Sequence, residues 1–275
     1  MKKILTLVSL SFILVLAACG GNDNEGAAAN DDDTIVIGAS SVPHGEILEE
    51  AEPLLEEEGI ELEIEPYEDF VLPNDDLDSG EIDANFFQHI PYLEQTNEDS
   101  GYNLVNIGGI HIEPMGVYSQ GFDSVDDVPD GTEVVLSNSV ADHGRVLSLF
   151  EEEGLIELDD SVDPDEATID DIDENPHNLE FTADNEAGFL PDIYESEEDA
   201  LVVINTNYAI EAGLDPQTDT LFKEEDDSPY VNVVAVDEED EDNEALNTLV
   251  DVLHSDEIVD FIEEEYDGAV VPVSE

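Results

Sequence analysis

From residue 34 onward, the pattern of apolar and polar residues shows two different periods, that of a strand and that of a helix. Residues 34–40, TIVIGAS, form a short apolar run rich in β-branched side chains, which predicts a buried strand. Residues 45–58 repeat apolar side chains on one helical face, and residues 60–67, IELEIEPY, alternate as a strand does. This order predicts a β-α-β unit. Pro53 falls inside the predicted helix and is expected to kink or divide it.

The rest of the chain continues the alternation of strands and helices. Strands are predicted at 104–119, 132–137, 179–184, 200–210 and 230–237, and helices at 144–153 and twice between 244 and 266. Elements that alternate in this way predict an α/β protein with mainly parallel sheets. No internal repeat and no long structureless linker interrupts this part of the sequence.

The N-terminal residues have the layout of a secretory leader. Two lysines precede an apolar run that ends at Ala18, and this run is too short for a membrane-spanning helix. We expect residues 1–18 to form a signal peptide that is removed. The sequence Leu-Ala-Ala-Cys-Gly around Cys19 resembles a bacterial lipobox, which implies that Cys19 becomes a lipidated N-terminus. Residues 19–33 are rich in Gly, Asn and Asp and predict a flexible acidic tether.

The balance of charge is extreme, because the chain has 76 Asp and Glu against 4 Lys and Arg, a formal net charge of -72. The acidic residues are spread between apolar runs, which argues against an acidic disordered tail. Repulsion of this size opposes compaction in dilute salt, but molar salt screens it within about 3 Å. We therefore expect a folded protein that lives in concentrated salt and does not bind nucleic acid.

The sequence motifs of several enzyme and metal-protein classes are missing. The chain has no Gly-rich loop followed by lysine, no G-x-S-x-G stretch, no H-E-x-x-H stretch and no calcium loop. Its 6 histidines lack the i, i+4 helical spacing of a zinc site, and its single cysteine excludes an internal disulfide. We expect a protein that is not an enzyme and needs no cofactor or dedicated metal ion.

Four stretches carry a resemblance to one family: 67–95, 110–119, 137–156 and 200–233. Their motifs DFVLPN, DANFFQH, INTNYA and SPYVN resemble those of the methionine-binding lipoproteins of bacterial ABC importers, the family typified by MetQ and NlpA. The resemblance runs from about residue 34 to the C-terminus. It implies an α/β, bilobal periplasmic-binding-protein-like fold, in which two α/β lobes close on a ligand in the cleft between them.

The same resemblance implies how the chain is divided and what it does. We expect lobe 1 to comprise residues 34–114 plus 232–275, and lobe 2 to comprise residues 115–231. The protein is expected to be a lipid-anchored monomer on the extracytoplasmic face of the cell membrane. It would capture L-methionine and deliver it to an ABC permease that has a cytoplasmic ATPase. The alternatives are a binder of a methionine-containing dipeptide or another apolar amino acid, and a non-transport, acidic cation-binding surface protein.

Arg145 is the only arginine of the chain, and it follows a predicted strand at the start of a predicted helix. A guanidinium in that position can hold a ligand carboxylate through two hydrogen bonds, with help from the helix dipole. Asn138 lies close to it in the same loop and is a further candidate for ligand contact. This loop departs from the usual family pattern PNDPTNxGR at Ser137, Ser139 and Val140.

A thioether side chain favours an aromatic pocket, and the segment ANFFQH offers two phenylalanines and a histidine. Strand alternation places Phe87 and His89 on one face and Phe86 on the other. We predict that Phe87 and His89 line the pocket and that Phe86 belongs to the core. Phe70, where the family often has Tyr, is a further candidate for the pocket.

Polar candidates lie at the ends of apolar strands, where the ligand clefts of α/β sheets form. Asn232 matches a ligand-contacting Asn of the family, and Asn205 and Asn207 are candidates that capping of a helix or turn would explain equally well. Glu113 is a candidate to accept the ligand ammonium. Its residue type carries little information among so many acids.

The charge leads to a direct prediction about salt. We expect the chain to lose compact structure in dilute buffer and to regain it in about 1 M salt, because screening removes most of the repulsion between carboxylates. Circular dichroism before and after dialysis measures this change. A spectrum that stays the same at low ionic strength would contradict it.

Overall fold

The computed structural model describes residues 34–225 and 228–273. The predicted signal peptide, Cys19 and the tether up to residue 33 lie outside the described residues. Within the described part, no helix has both the length and the apolar character needed to cross a membrane.

Thirteen strands and eight α-helices make up the described chain, with short 3₁₀ and π-helical turns between them. The strands are β1 (Thr34–Ser40), β2 (Glu61–Tyr67), β3 (Ala84–His89), β4 (Leu104–Ile112), β5 (Gly116–Tyr118), β6 (Glu133–Ser137), β7 (Glu157–Leu158), β8 (Ile172–Glu174), β9 (Glu180–Asn185), β10 (Leu201–Ile204), β11 (Thr220–Lys223), β12 (Val231–Asp237) and β13 (Val271–Pro272). The helices are α1 (Glu46–Glu58), α2 (Leu72–Ser79), α3 (Ile90–Ser100), α4 (His143–Glu152), α5 (Leu190–Ser196), α6 (Thr206–Glu211), α7 (Glu244–Leu253) and α8 (Asp256–Tyr266).

Two mixed sheets organise the fold. The first has the order β13-β4-β12-β3-β1-β2 and the second the order β11-β5-β10-β6-β9, while β7 and β8 form a separate ribbon. In the first sheet only β1 pairs in parallel, with β2 and β3, and β12 lies antiparallel between β3 and β4. In the second sheet β6 pairs in parallel with β9 and β10, while β5 is antiparallel to both of its neighbours.

The prediction of mainly parallel sheets is therefore wrong. The chain leaves the first sheet after β4, builds the second, and re-enters the first as β12. A β-α-β crossover makes the two strands that it connects parallel. β12 enters the first sheet from the second one without such a crossover, so its direction is not constrained in this way. The chain thus passes between the sheets twice, at 113–115 and at 224–230. The expected lobe limits stay predictions, and they lie close to these two passages.

Strand alternation sends buried side chains to both faces of each sheet. In β12, Val234 and Val236 pack with α1, α7 and α8, whereas Val233 and Ala235 pack with α2 and α3 on the opposite face. In the second sheet, α4 covers one face, and α5 and α6 cover the other. The inner strands of both sheets are buried on two sides, which explains why β1, β10 and β12 read as nearly continuous apolar runs.

Helix α1 follows the predicted pattern closely, since Ile47, Leu48, Ala51 and Leu55 are all buried on one face. It is a single helix from Glu46 to Glu58, so a division at Pro53 is excluded, and the alternative expectation of a kink there stays a prediction. Pro53 and the residue one turn before it, Glu49, are both exposed. Water can therefore bind the Glu49 carbonyl, which the proline leaves without its helical donor.

Two predicted strands differ from the structure in extent. The segment predicted at 104–119 is two strands, β4 and β5, which belong to different sheets. The segment predicted at 200–210 is a strand only up to Ile204 and continues as α6. Helices α2, α3 and α5 were not predicted, although each has a proline within its first two residues, which is a recognised helix-start signal.

The exposed proline of α1 offers a stability test. Pro53→Ala should raise the free energy of unfolding by about 1–3 kcal/mol, because alanine restores the missing backbone hydrogen bond and has a much higher helix propensity. Thermal unfolding in molar salt measures the change. The matched control, Glu52→Ala at the neighbouring exposed position, should stay within about 0.5 kcal/mol. A Pro53→Ala protein no more stable than this control would refute the prediction.

Candidate ligand-binding cleft

A cleft lies where the two sheets face each other, at the ends of their strands. The first sheet and its helices contribute residues from β3, α3, β12 and the segment between β2 and α2. The second sheet contributes the starts of α4 and α6, and the first passage between the sheets contributes two more. The lining residues are Phe70, Phe87, Gln88, His89, Tyr92, Glu113, Met115, Asp142, Arg145, Asn205, Thr206, Asn207 and Asn232.

The structure brings eight of the nine predicted ligand-binding residues to this cleft. They are Phe70, Phe87, His89, Glu113, Arg145, Asn205, Asn207 and Asn232. Asn138 is the exception: it is exposed and lines a neighbouring groove instead. Phe86 is fully buried in the core of the first sheet, so the predicted alternation along β3 is confirmed.

A network of buried amides fixes strand β3 beneath the cleft. Asn74 of α2 donates to Gln88 at 2.9 Å, Gln88 donates to Asn74 and to Asn85 at 2.8 Å each, and Asn85 donates to Asn74 at 2.8 Å. These bonds join the motifs DFVLPN and DANFFQH to each other. Buried amides stay in place only when they are paired, so the network holds Phe87 and His89 in a defined orientation.

Aromatic rings form one end of the cleft. The ring centroids of Phe70 and Phe87 lie 6.0 Å apart, and Tyr92 lies 6.1 Å from Phe87. Tyr208 stands behind Phe70 at 5.0 Å and donates its hydroxyl to the backbone of Glu68. This end therefore offers an apolar slot whose rings are held by packing and by hydrogen bonds.

Charged groups form the other end, around Arg145, the third residue of α4. Its Nε donates to Glu224 at 3.1 Å, and its Nη2 donates to the other oxygen of Glu224 and to the Glu113 carbonyl. The ring of Tyr230 lies 4.4 Å from the guanidinium carbon. The edge of the guanidinium that could bind a carboxylate through Nε and Nη2 is thus already occupied by Glu224.

Nη1 is the nitrogen of Arg145 that faces the weakest partner, Asp142 Oδ1 at 3.5 Å. Burial alone would lower the pKa of Arg145, but the carboxylates of Glu224 and Asp142 raise it above its ordinary value. The guanidinium therefore stays charged inside the cleft and keeps Nη1 available as a donor.

Asp142 was not predicted, and it occupies the centre of the charged end. It is 2% exposed, and its Oδ1 lies 3.0 Å from His89 Nε2. Burial opposes its ionisation, but contacts with His89, Arg145 and Asn205 together hold its pKa well below the usual range. The one feature of the sequence that could have indicated Asp142 is its position three residues before the only arginine.

Glu113 lies deeper, between two buried histidines. Its Oε1 lies 2.9 Å from His111 Nε2 and 3.2 Å from His44 Nε2, and its Oε2 accepts the Asn207 N–H at 3.0 Å. Burial lowers the pKa of His44 to about 4 and that of His111 to about 3, so both rings are neutral at pH 7. Burial also raises the pKa of Glu113, while the charge of Arg145 and the hydrogen bond from the Asn207 N–H act in the opposite direction.

His44, His111 and Glu113 also form a candidate metal-ligand group among the described residues, with three possible ligand atoms within 4.8 Å of one another. Two neutral imidazoles and a carboxylate suit zinc by donor type. His111 Nε2 is hydrogen-bonded to Glu113 Oε1 at 2.9 Å, and His44 Nε2 is hydrogen-bonded to Asn232 Oδ1 at 3.2 Å, so hydrogen bonds account for the cluster without an ion. The expectation that the chain needs no dedicated metal stays a prediction.

Comparison with known proteins places this chain in a family. A family model described as NlpA lipoprotein matches residues 35–274. The chain belongs to the NlpA lipoprotein family. Among its relatives, the methionine-binding lipoprotein MetQ of Bacillus subtilis is 45% identical over the whole of both chains.

Two solved structures share the architecture. A nutrient-binding protein from Burkholderia cenocepacia bound to methionine has 35% identity and a TM-score of 0.83, covering 87% of this chain and 100% of that one. A periplasmic substrate-binding protein of an ABC transporter from Coxiella burnetii has 34% identity and a TM-score of 0.82, with coverage of 87% and 100%. The expected α/β, bilobal fold is thereby confirmed.

The pairing of Arg145 with Glu224 gives a stability prediction. Glu224→Gln should lower the free energy of unfolding by about 3 kcal/mol, because removing one partner of a buried pair leaves the other charge uncompensated. Urea unfolding in molar salt measures the loss. Glu225→Gln, at the exposed neighbouring position, removes the same charge and should change stability by less than about 0.5 kcal/mol. Equal stabilities of the two variants would disprove the role assigned to the pair.

Proposed function

We propose that this NlpA-family chain is the lipid-anchored substrate-binding protein of an ABC importer, and that it binds L-methionine in the cleft between its two sheets. The observation that carries the proposal is the division of the cleft into an aromatic end and a charged end. A free amino acid with an apolar side chain has the same division. The chain is also 45% identical to a methionine-binding lipoprotein over its full length.

The aromatic end suits the thioether of methionine. Sulfur is favourable at the edges of aromatic rings, at distances of about 5 Å. Phe70, Phe87 and Tyr92 offer such edges, because their rings meet at interplanar angles between 33° and 78°. His89 stands where this aromatic slot meets the charged end, 6.3 Å from Tyr92 between ring centroids.

The charged end suits the zwitterionic head of an amino acid. In the proposed complex the ligand carboxylate lies against Nη1 of Arg145, near the N-terminus of α4, where the helix dipole favours an anion. The side chains of Asn207 and Asn232 line the same part of the cleft and supply amide donors. A net-neutral ligand also avoids the repulsion that the acidic protein would exert on an anion.

The proposal extends to the setting of the protein. Lipidation at Cys19 would hold it at the extracytoplasmic face of the membrane, where a monomer could pass its ligand to a permease driven by a cytoplasmic ATPase. The two lobes would be 34–114 plus 232–275 and 115–231, joined by the two passages between the sheets. The protein performs no chemistry on its ligand.

Isothermal titration calorimetry of the full-length chain with L-methionine in about 1 M salt tests the proposal. We expect saturable one-to-one binding. Phe87→Ala should weaken it by at least about tenfold, because it removes a large apolar contact from the slot. Phe189→Ala is the control, since this exposed aromatic lies in the neighbouring groove and should leave the affinity unchanged.

The possible results separate the alternatives. Loss of binding in Phe189→Ala but not in Phe87→Ala would move the ligand to the neighbouring groove. Absence of binding by folded wild-type protein would reject methionine. Titration with a methionine-containing dipeptide, then leucine, then a divalent cation would identify which of the other expected ligands binds.

A further inference from the structure

A buried histidine lies directly behind the cleft and is not among the residues that line it. His44 is 1% exposed, and its ring meets the ring of Phe86 edge-on, with centroids 4.6 Å apart. The ring of His111 lies 4.9 Å away. Close packing between these two rings holds the imidazole of His44 in one orientation, so each of its nitrogens keeps a fixed partner.

The two nitrogens of His44 have different partners. Nδ1 lies 2.8 Å from the hydroxyl oxygen of Ser40, the last residue of β1. Nε2 lies 3.2 Å from Asn232 Oδ1, and a second oxygen, Glu113 Oε1, is also 3.2 Å away. An amide carbonyl oxygen can only accept a hydrogen bond, so the geometry requires the hydrogen on Nε2.

A hydrogen on Nε2 fixes the direction of the other bonds. Burial lowers the pKa of His44 to about 4, so the ring is neutral at pH 7 and carries a hydrogen on only one nitrogen. Nδ1 is therefore an acceptor, and the Ser40 hydroxyl donates to it. His44 in turn donates to Asn232, whose carbonyl oxygen is thereby turned towards the histidine.

The other polar atom of the Asn232 side chain, Nδ2, is the one that remains for the cleft. Asn232 lines the cleft and is 5% exposed. Among the described residues, none accepts a hydrogen bond from its Nδ2. An amide that is free to turn over presents either a donor or an acceptor, whereas this one presents only a donor.

We propose that Ser40 and His44 are positioning residues, which form a relay of hydrogen bonds with Asn232 and hold its amide as a fixed donor to the cleft. The inference rests on the proposed function, in which the ligand carboxylate is the acceptor. The relay adds to specificity, because the NH₂ group of methioninamide would meet a donor in either orientation, Asn232 Nδ2 or Arg145 Nη1.

A purely structural role for His44 explains less. Replacing both partners of a buried hydrogen bond by apolar groups of the same shape costs little stability. Packing against Phe86 and His111 therefore does not require an imidazole. A requirement arises when Asn232 has to keep one orientation, since only a donor behind its Oδ1 prevents the amide from turning over.

The tautomer of His44 can be measured directly. Two-bond ¹⁵N–¹H correlation spectra of the ¹⁵N-labelled full-length chain in about 1 M salt separate protonated from unprotonated ring nitrogens, and His44→Gln identifies the His44 signals. We expect a hydrogen on Nε2 and none on Nδ1. A hydrogen on Nδ1, which a metal ion on Nε2 would also require, overturns the relay. This measurement needs no ligand, so it does not depend on the proposed function.

Calorimetry with two ligands tests the effect of the relay on binding. His44→Met and His44→Gln have side chains of equal length, but only glutamine can place a donor near the position of Nε2. His44→Met should weaken L-methionine by about tenfold and L-methioninamide by less than about twofold. His44→Gln should recover most of the affinity for methionine. The control is His254→Met, which removes a hydrogen bond to the Gly109 carbonyl outside the cleft and should affect neither ligand.

The outcomes separate the two proposals. If His44→Met weakens both ligands by the same factor, or if His44→Gln binds no better than His44→Met, the relay is rejected while methionine binding stands. If wild-type protein binds neither ligand, the proposed function fails, and the tautomer still decides whether Asn232 is a fixed donor.

A second variant keeps the test decisive should His44→Met not fold. Ser40→Ala removes the donor to Nδ1 and leaves the packing of the His44 ring in place. It should weaken L-methionine by about threefold without weakening L-methioninamide. Equal losses for the two ligands would overturn the relay, and a loss confined to methionine would support it.

Discussion

The charged end of the cleft depends on one buried guanidinium, that of Arg145. Arg145 is 5% exposed, and such burial is tolerated only if its charge is matched by nearby carboxylates. Matching it brings together the start of α4, the first passage between the sheets, and the second passage at Glu224. The ion pair thus fastens the two passages to the second sheet. Beyond residue 3 the chain has one arginine and one lysine, and the arginine lies at this junction.

The local parts of the fold could be predicted from the sequence, and the long-range parts could not. The limits of β1, α1 and β2 follow from periodicity, and β3 was correctly divided between cleft and core because Phe86 and Phe87 alternate. The antiparallel position of β12 between β3 and β4 has no local sequence signal, since it depends on where the chain re-enters the first sheet. The apolar run that ends in α6 reads equally well as a strand, and only packing on the second sheet decides it.

The same contrast applies to the candidate site, because some of its residues could be predicted from the sequence and others could not. Its aromatic residues and its arginine are rare types in this chain, so their positions carry information. Its acids do not, since Asp142, Glu224 and Glu113 are three among 76. What singles them out is a partner far away in sequence: 53 residues separate Asp142 from His89, and 79 separate Glu224 from Arg145. No pattern in a single sequence encodes such pairings.

The scarcity of basic residues limits where proteases of one class can cut this protein. Trypsin-type proteases cut only after lysine or arginine, because their specificity pocket carries an aspartate. Beyond Lys3, this chain offers them two bonds, after Arg145 and after Lys223. The first lies in a buried turn of α4, where an intact molecule shields it. The residue that completes the cleft is therefore also one that such proteases can reach only after the fold has opened.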